Sequence, residues 1–382
     1  MAVTNDEIQR RYANVRVALE RDGLDAALVC GSEYTGFEGA VTYLSGFLIV
    51  HRYAYVLLPL EGEATIVFPS EARYVGEHGT TWIEEQVFAD RPGEWLAGRL
   101  PGRRVGVYGL DYVMPVRDYR ALEGACELVD WDVGFDLARA VKSEHELESV
   151  RESARINTEG FRIFLEAFKP GRCEQELLAP CEEYFVASGC GRATMDMVLV
   201  GESGSALPEF KIAGTRPVAR TDMVLPSLEI AGPGGHWVEV SRAICAAEPS
   251  GESRRMLEAY EEYDEAARGA MRPGTTAHEL HRAVAKGFVE RGYKLGHVTG
   301  HSIGMTMIEF PKIGEGDETE LREGMVLSMH PHAISDDDRT CVYMQETWLV
   351  GPEGGVPLSG LPVKIFDGTE TRAELLHIER NG

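Results

Sequence analysis

The sequence predicts a two-domain α/β protein, and three observations lead there. Its 382 residues are more than one compact core usually organises. Helical and strand signals alternate through the first third of the chain. Beyond a junction at Val141-Lys142-Ser143 the pattern changes to two long helical stretches, 144 to 168 and 251 to 291, each followed by strand-like segments with Gly and Pro punctuation. The expected layout is an α/β domain over 1–141, a second domain over 142–360 and a polar tail over 361–382.

The elements follow in order. Residues 5 to 22 carry a helical period and end at Gly23. AALVC, 26 to 30, reads as a buried strand, and YAYVLLPLEGEATIVFP, 53 to 69, as two strands joined at a Glu-Gly-Glu turn. RRVGVYG, 103 to 109, is a further strand. After the junction, Leu147, Val150, Ala154, Phe161 and Phe164 fall near helical spacing. The repeated order of helix and strands hints at a duplicated α/β unit.

Composition narrows the function classes. With 62 acidic and 38 basic residues the formal net charge is −24, which repels phosphate backbones and anionic lipid, so neither nucleic acid nor membrane is an expected partner. The polar start MAVTNDEIQRRY lacks the basic and apolar regions of a signal peptide, and no apolar run approaches the ~18 residues of a membrane span. A cytoplasmic protein is the expectation. Seven cysteines, an odd number with no CxxC pair, point to reduced thiols rather than a disulfide framework or a cysteine zinc site.

GHSIG, 300 to 304, satisfies the GxSxG pattern of a nucleophile elbow around Ser302. The elbow needs an apolar strand before it and a helix after it, whereas ERGYKLGHVT precedes and MTMIEFPKIGEGD, with Pro311, follows. A different grouping fits better. Carboxylates and histidines recur at the ends of strand-like segments: Glu239 in HWVEVSRAI, His297 and His301 in GHVTGHSIG, His330 and His332 in LSMHPHAI, and Glu346 in CVYMQETWLV. Imidazole and carboxylate are the groups that bind transition metals and move protons near neutral pH.

That order resembles the pita-bread hydrolases, the group of methionine aminopeptidase, Xaa-Pro peptidases and creatinase. GHSIGM is similar to the family's GHGIG segment, REGMVLSMHP to its GMVxxxEP segment, and MQETWLVGPEGGVPLS to its closing strand and turn. The histidines four apart in HVTGHSIG lean toward the Xaa-Pro peptidase and creatinase branch, and the resemblance covers nearly the whole chain. It implies a creatinase-like α/β domain followed by a pita-bread α+β domain, and a hydrolase.

The family's peptidases hold two divalent ions with two Asp, one His and two Glu. Carried onto this chain, the resemblance places these at Ser227, Glu239, His301, His330 and Glu346. A further family histidine falls on Ile308, and another near Glu209. The changed positions imply a centre for one divalent ion, Zn, Fe, Mn or Ni, held by Glu239, His301, His330 and Glu346. Glu229, two residues beyond Ser227 on a strand, is a possible extra ligand. Creatinase and ectoine hydrolases work without metal, so a metal-free site of the same residues is the competing expectation.

Glu209, Glu239, His297, His301 and Glu346 are the expected catalytic groups, and His51, Arg52 and His332 the substrate-binding ones. FLIVHRYAYVLLP resembles the creatinase stretch whose arginine binds a carboxylate in the partner subunit, which implies a homodimer. The expected reaction is cleavage of a carbon–nitrogen bond in a small amide, amidine or dipeptide-like substrate of the creatinase or ectoine hydrolase kind. The alternatives are a metal-dependent Xaa-Pro dipeptidase, a lyase of the dimethylsulfoniopropionate type, and a retired enzyme serving as a binding module.

Overall fold

The computed structural model describes residues 3–32, 39–49, 52–74, 81–190 and 196–369. The chain forms two compact units, one of residues 1–145 with 304–310 and one of 146–303 with 311–382.

In the first unit, helix α1 (Asn5–Asp22) starts where the Thr4 hydroxyl accepts the Glu7 N–H. Strand β1 (Ala26–Ser32) is buried along its whole length and is followed by α2 (Gly39–Ser45), β2 (Tyr53–Pro59), β3 (Thr65–Pro69) and β4 (Glu85–Ala89). Next come α3 (Pro92–Arg99), β5 (Arg104–Tyr108), α4 (Val116–Leu122), β6 (Glu127–Asp130) and α5 (Asp132–Arg139). The sheet runs β4-β3-β2-β1-β5-β6, antiparallel from β1 through β3 and parallel elsewhere.

Alternation along β1 divides two cores. Ala27 and Val29 pack with Tyr12, Val15 and Leu19 of α1, while Ala26, Leu28 and Cys30 pack with Leu96, Leu100 and Leu122. Both faces are therefore covered, which is why the strand reads as an unbroken apolar run.

Residues 304–310 join this unit through a buried charge network. Arg139 lies 2.7 Å from Asp136 and 3.1 Å from Glu309, and Lys142 lies 3.0 Å from Glu309. Burial alone would raise the Glu309 carboxyl, but Arg139 and Lys142 hold it below its ordinary value.

The second unit opens with α6 (Glu144–Ala167) and α7 (Glu174–Ala187), followed by β7 (Met197–Gly201), β8 (Met223–Ala231), β9 (Trp237–Ser241) and β10 (Ile244–Cys245). Helices α8 (Gly251–Ala270) and α9 (Ala277–Glu290) come next. The single helical stretch expected over 251–291 is thus two helices. Pro273 and Gly274, at φ +87°, break it, and a capping box between Thr276 and Glu279 restarts it.

The remaining strands are β11 (Lys294–Leu295), β12 (Gly300–Ser302), β13 (Glu309–Ile313), β14 (Val326–Met329), β15 (His332–Ile334), β16 (Cys341–Tyr343), β17 (Gln345–Val350), β18 (Gly355–Pro357) and β19 (Phe366–Asp367). The large sheet has the order β13-β12-β14-β17-β9-β8-β10-β19, and β11-β15-β16 form a small one. The expected tail begins inside the large sheet, because β19 pairs in parallel with β10.

Within the first unit, Arg139→Met leaves Asp136 and Glu309 buried without their shared cation. The expected cost is about 3–5 kcal/mol, read as a lower denaturation midpoint in urea with an unchanged m-value.

Candidate active site

The site grows out of strand register. Glu229 of β8 pairs directly with Glu239 of β9, and Ser227 with Ser241. Gln345 of β17 also pairs with Ser241, while Ser328 of β14 pairs with Thr347 of β17 and with His301 of β12. Directly paired residues share a face of a sheet, so Glu229, Glu239, Thr347, Ser328 and His301 make one row across four junctions. Ser227, Ser241 and Gln345 make the next row on that face. Thr347 seals the row by accepting the Glu239 backbone N–H at 2.8 Å.

Glu239, His301 and His330 converge. Each offers a ligand atom, and these atoms all lie within 4.8 Å of one another among buried side chains. Glu239 Oε2 accepts the Ser328 hydroxyl at 2.5 Å and the Gln345 amide at 3.1 Å, and Oε1 lies 3.6 Å from His301 Nε2. His301 Nδ1 donates to the Ser302 carbonyl at 2.9 Å, which puts the lone pair of the neutral ring on Nε2, toward the carboxylate. The His330 backbone N–H donates to the Thr299 carbonyl at 2.8 Å, and its Nδ1 is buried with no partner among the described residues.

Glu346, expected among the ligands, is on the other face. It stands between Gln345 and Thr347 on an alternating strand, and its carboxylate is taken by Arg242 Nη2 at 2.6 Å and by the Ser359 N–H and hydroxyl. Gln345 occupies the inward position instead. The error of one residue comes from carrying a motif over without its facing.

The histidines form a second feature. The ring of His297 lies 4.9 Å from His330 and 5.5 Å from His332, and that of His301 4.9 Å from His330. Phe210 and Tyr343 flank His332 at 4.9 and 5.3 Å. His297 Nδ1 donates to the Val298 carbonyl at 2.7 Å. His332 Nε2 is buried without a partner among the described residues. No glycine substitute fits at Gly296, where a Cβ would lie 2.6 Å from His332 Nδ1. The Tyr260 hydroxyl holds the segment by donating toward the Pro331 and Val342 carbonyls.

Burial sets the protonation. It pushes His330 well below the ordinary histidine value, helped by His301 and His297, and brings His332 down to about 4. It also lowers His297. Burial raises both Glu229 and Glu239, and the charge of Glu239 adds to the effect on Glu229. Asp196, whose Oδ1 accepts the Glu229 backbone N–H at 3.0 Å, is lifted by burial to about 7.

The other expected residues are dispersed. Glu209 is exposed in the connection between β7 and β8, next to Phe210. Ile308 groups with the first unit. Arg52, at φ +60°, pairs with Glu71 at 2.8 Å, and His51 lies outside the described residues. Ser302 donates to the Val326 carbonyl at 3.3 Å at the end of a three-residue strand with no helix after it, so it is no elbow nucleophile. Gln345, Asp196, Phe210 and Tyr343 went unnoticed in the sequence. Only the alternation of QETWLV carried a signal for Gln345.

The chain matches the family model of metallopeptidase family M24 over residues 148–353 and that of the creatinase/prolidase N-terminal domain over residues 11–141. The Xaa-Pro dipeptidase of Pyrococcus horikoshii is 23% identical over 340 residues, 87% of this chain and 90% of that protein. The probable dipeptidase PepE of Mycobacterium tuberculosis is 26% identical over 362 residues, 90% of each. Among solved structures, the dipeptidase PepE from Mycobacterium ulcerans superposes with a TM-score of 0.81 at 22% identity, covering 96% of this chain and 99% of that one. The prolidase from Pyrococcus horikoshii gives 0.77 at 22% identity with the same coverage. The fold is therefore the pita-bread one behind a creatinase-like α/β domain.

The raised acids make stability depend on pH. The folded chain keeps protons on Asp196 and Glu229 that the unfolded chain releases above about pH 4, so their contribution is full below that value and is lost as pH rises to about 7 for Asp196 and about 8 for Glu229. The lowered histidines act in the opposite sense, but only below about pH 6.5. As pH rises from about 6.5 to 8 the chelator-treated protein is expected to lose stability, by up to about 1.4 kcal/mol per pH unit for each acid still protonated in the folded chain, Asp196 up to about pH 7 and Glu229 up to about pH 8. Asp196→Asn is expected to flatten that slope in differential scanning calorimetry.

Proposed function

The chain belongs to metallopeptidase family M24, as a hydrolase of that family, and from this premise we propose that it cleaves the carbon–nitrogen bond of a small dipeptide-like amide at a centre for one divalent ion. The observation that carries the reading is the convergence of Glu239, His301 and His330. Two imidazoles and one carboxylate are the donor set of hydrolytic zinc sites that keep a position open, and Fe(II), Mn or Ni suit it as well. The residues fit such an ion. His330 has a buried ring nitrogen without a partner among the described residues, and the His301 lone pair and Glu239 Oε1 face each other. The relatives named Xaa-Pro dipeptidase and dipeptidase favour the dipeptide-like substrate over creatine-like or ectoine-like amides.

When bound, a divalent ion supplies Lewis acidity toward the scissile carbonyl and lowers the pKa of the attacking water. The residues do the rest. Ser328 and Gln345 hold Glu239 Oε2, which orients Oε1. The Ser302 carbonyl fixes the tautomer of His301. His297, neutral and half-buried with Nδ1 committed to Val298, offers Nε2 to carry a proton toward the leaving amine. Phe210, Tyr343 and His332 meet edge to face in an aromatic cluster against which a substrate side chain packs. With this reading goes a homodimer in which the half-exposed Arg52 receives an anionic substrate group.

The test begins with metal content of purified protein, followed by hydrolysis of Xaa-Pro and other dipeptides after loading with Zn, Mn, Fe(II) or Ni. About one equivalent of metal and metal-dependent hydrolysis are expected. His330→Ala should lose the ion, and Glu239→Gln should cut kcat/KM by on the order of 10³. Turnover of creatine-like or ectoine-like amides that persists in chelator would instead establish a metal-free amidohydrolase, and bound metal without any turnover would sink the enzyme reading.

A further inference from the structure

Glu229 and Glu239 reach toward each other from adjacent strands, and what lies between them is the side-chain amide of Gln345. Its Nε2 is 2.8 Å from Glu229 Oε1 and 3.1 Å from Glu239 Oε2, and its Oε1 accepts the Ser227 hydroxyl at 2.6 Å. Gln345 is 1% exposed and the two acids are 5% and 3% exposed, so water does not compete for these bonds. A primary amide has two N–H donors, and here each meets one carboxylate. The reverse orientation of the amide would set its carbonyl oxygen against two carboxylates and leave Ser227 facing an N–H. In this orientation both amide N–H groups have acceptors and the amide oxygen has a donor.

Two buried carboxyl groups that face one point need a proton, a cation or hydrogen-bond donors between them, and the amide donors and a second cation cannot occupy the same small space. The Gln345 amide supplies the donors without charge. It also commits Glu229 Oε1 to a hydrogen bond, and Ser227 lies 3.0 Å from that same oxygen.

We propose that Gln345 is a positioning residue that clamps Glu229 to Glu239 and thereby limits the centre to one ion, held by Glu239, His301 and His330. This rests on the one-ion reading of the site. Gln345→Glu removes both donors at once. Glu229, Glu239 and the new carboxylate then confront one another with acceptors only, an arrangement that a second divalent ion satisfies.

The experiment counts Mn²⁺ bound to the full chain by equilibrium dialysis, with electron paramagnetic resonance to detect spin-coupled pairs. Wild type is expected to bind one equivalent with an uncoupled signal, and Q345E two equivalents with a coupled one. Glu229→Gln, an isosteric change, is expected to keep one equivalent, because the amide clamp leaves Glu229 outside the ion's ligands. The double variant E229Q/Q345E should return from two equivalents to one. A merely structural role for Gln345 would lower the melting temperature of Q345E without adding an ion. One equivalent in Q345E overturns the clamp and leaves the one-ion centre standing. Two equivalents in wild type, or loss of the ion in E229Q, overturns it as well, so E229Q keeps the clamp falsifiable even if Q345E does not fold. No ion in wild type sinks both readings.

Discussion

The lateral register of β8, β9, β17, β14 and β12 is the constraint on which this site depends. Side chains alternate along a strand, so a row of directly paired residues brings groups from five strands to one face. Glu229, Glu239, Ser328 and His301 are such a row, and Thr347 closes it with a bond to the Glu239 backbone. Slipping any one strand by a residue would exchange ligands for core. The buried apolar residues on the opposite face, such as Leu228, Val240, Leu327 and Trp348, hold that register against slippage.

Charge is distributed by the same alternation. Glu239 faces the imidazoles, while Glu346 faces Arg242 behind the sheet. One acid is left to serve chemistry and the other is neutralised in place. Arg242 also donates to the carbonyls of Ser241, Gln345 and Leu361, so the ion pair fastens β9, β17 and the segment after β18 together. The pair is structural support for the face it does not touch.

Much of this was legible in the chain. A change of hydrophobic pattern marks the expected junction, and Glu239, His301 and His330 stand out as ionisable residues recurring at the ends of strand-like segments. The first-unit strands were readable because both faces are covered. The rest was hidden for physical causes. Gln345 was passed over in favour of its neighbour Glu346 because a motif fixes order but not facing, and a carboxylate draws more notice than an amide. Phe210 sits in an irregular connection with no period to expose it. The break at Pro273 and Gly274 was written in the sequence and outweighed by the helical periods on either side. That residues 304–310 group with the first unit is a long-range fact no local pattern carries.

This last grouping has a consequence for the gene. Glu309 is encoded well inside the catalytic half, yet the cations that balance it, Arg139 and Lys142, lie before and at the junction. A cut at residue 142 separates a buried anion from its counter-charge. The two halves are therefore poor cassettes: a second half transplanted behind a different leading domain would carry an orphaned acid, and recombination at that boundary is penalised by electrostatics as well as by the loss of Met305 from the first unit's core.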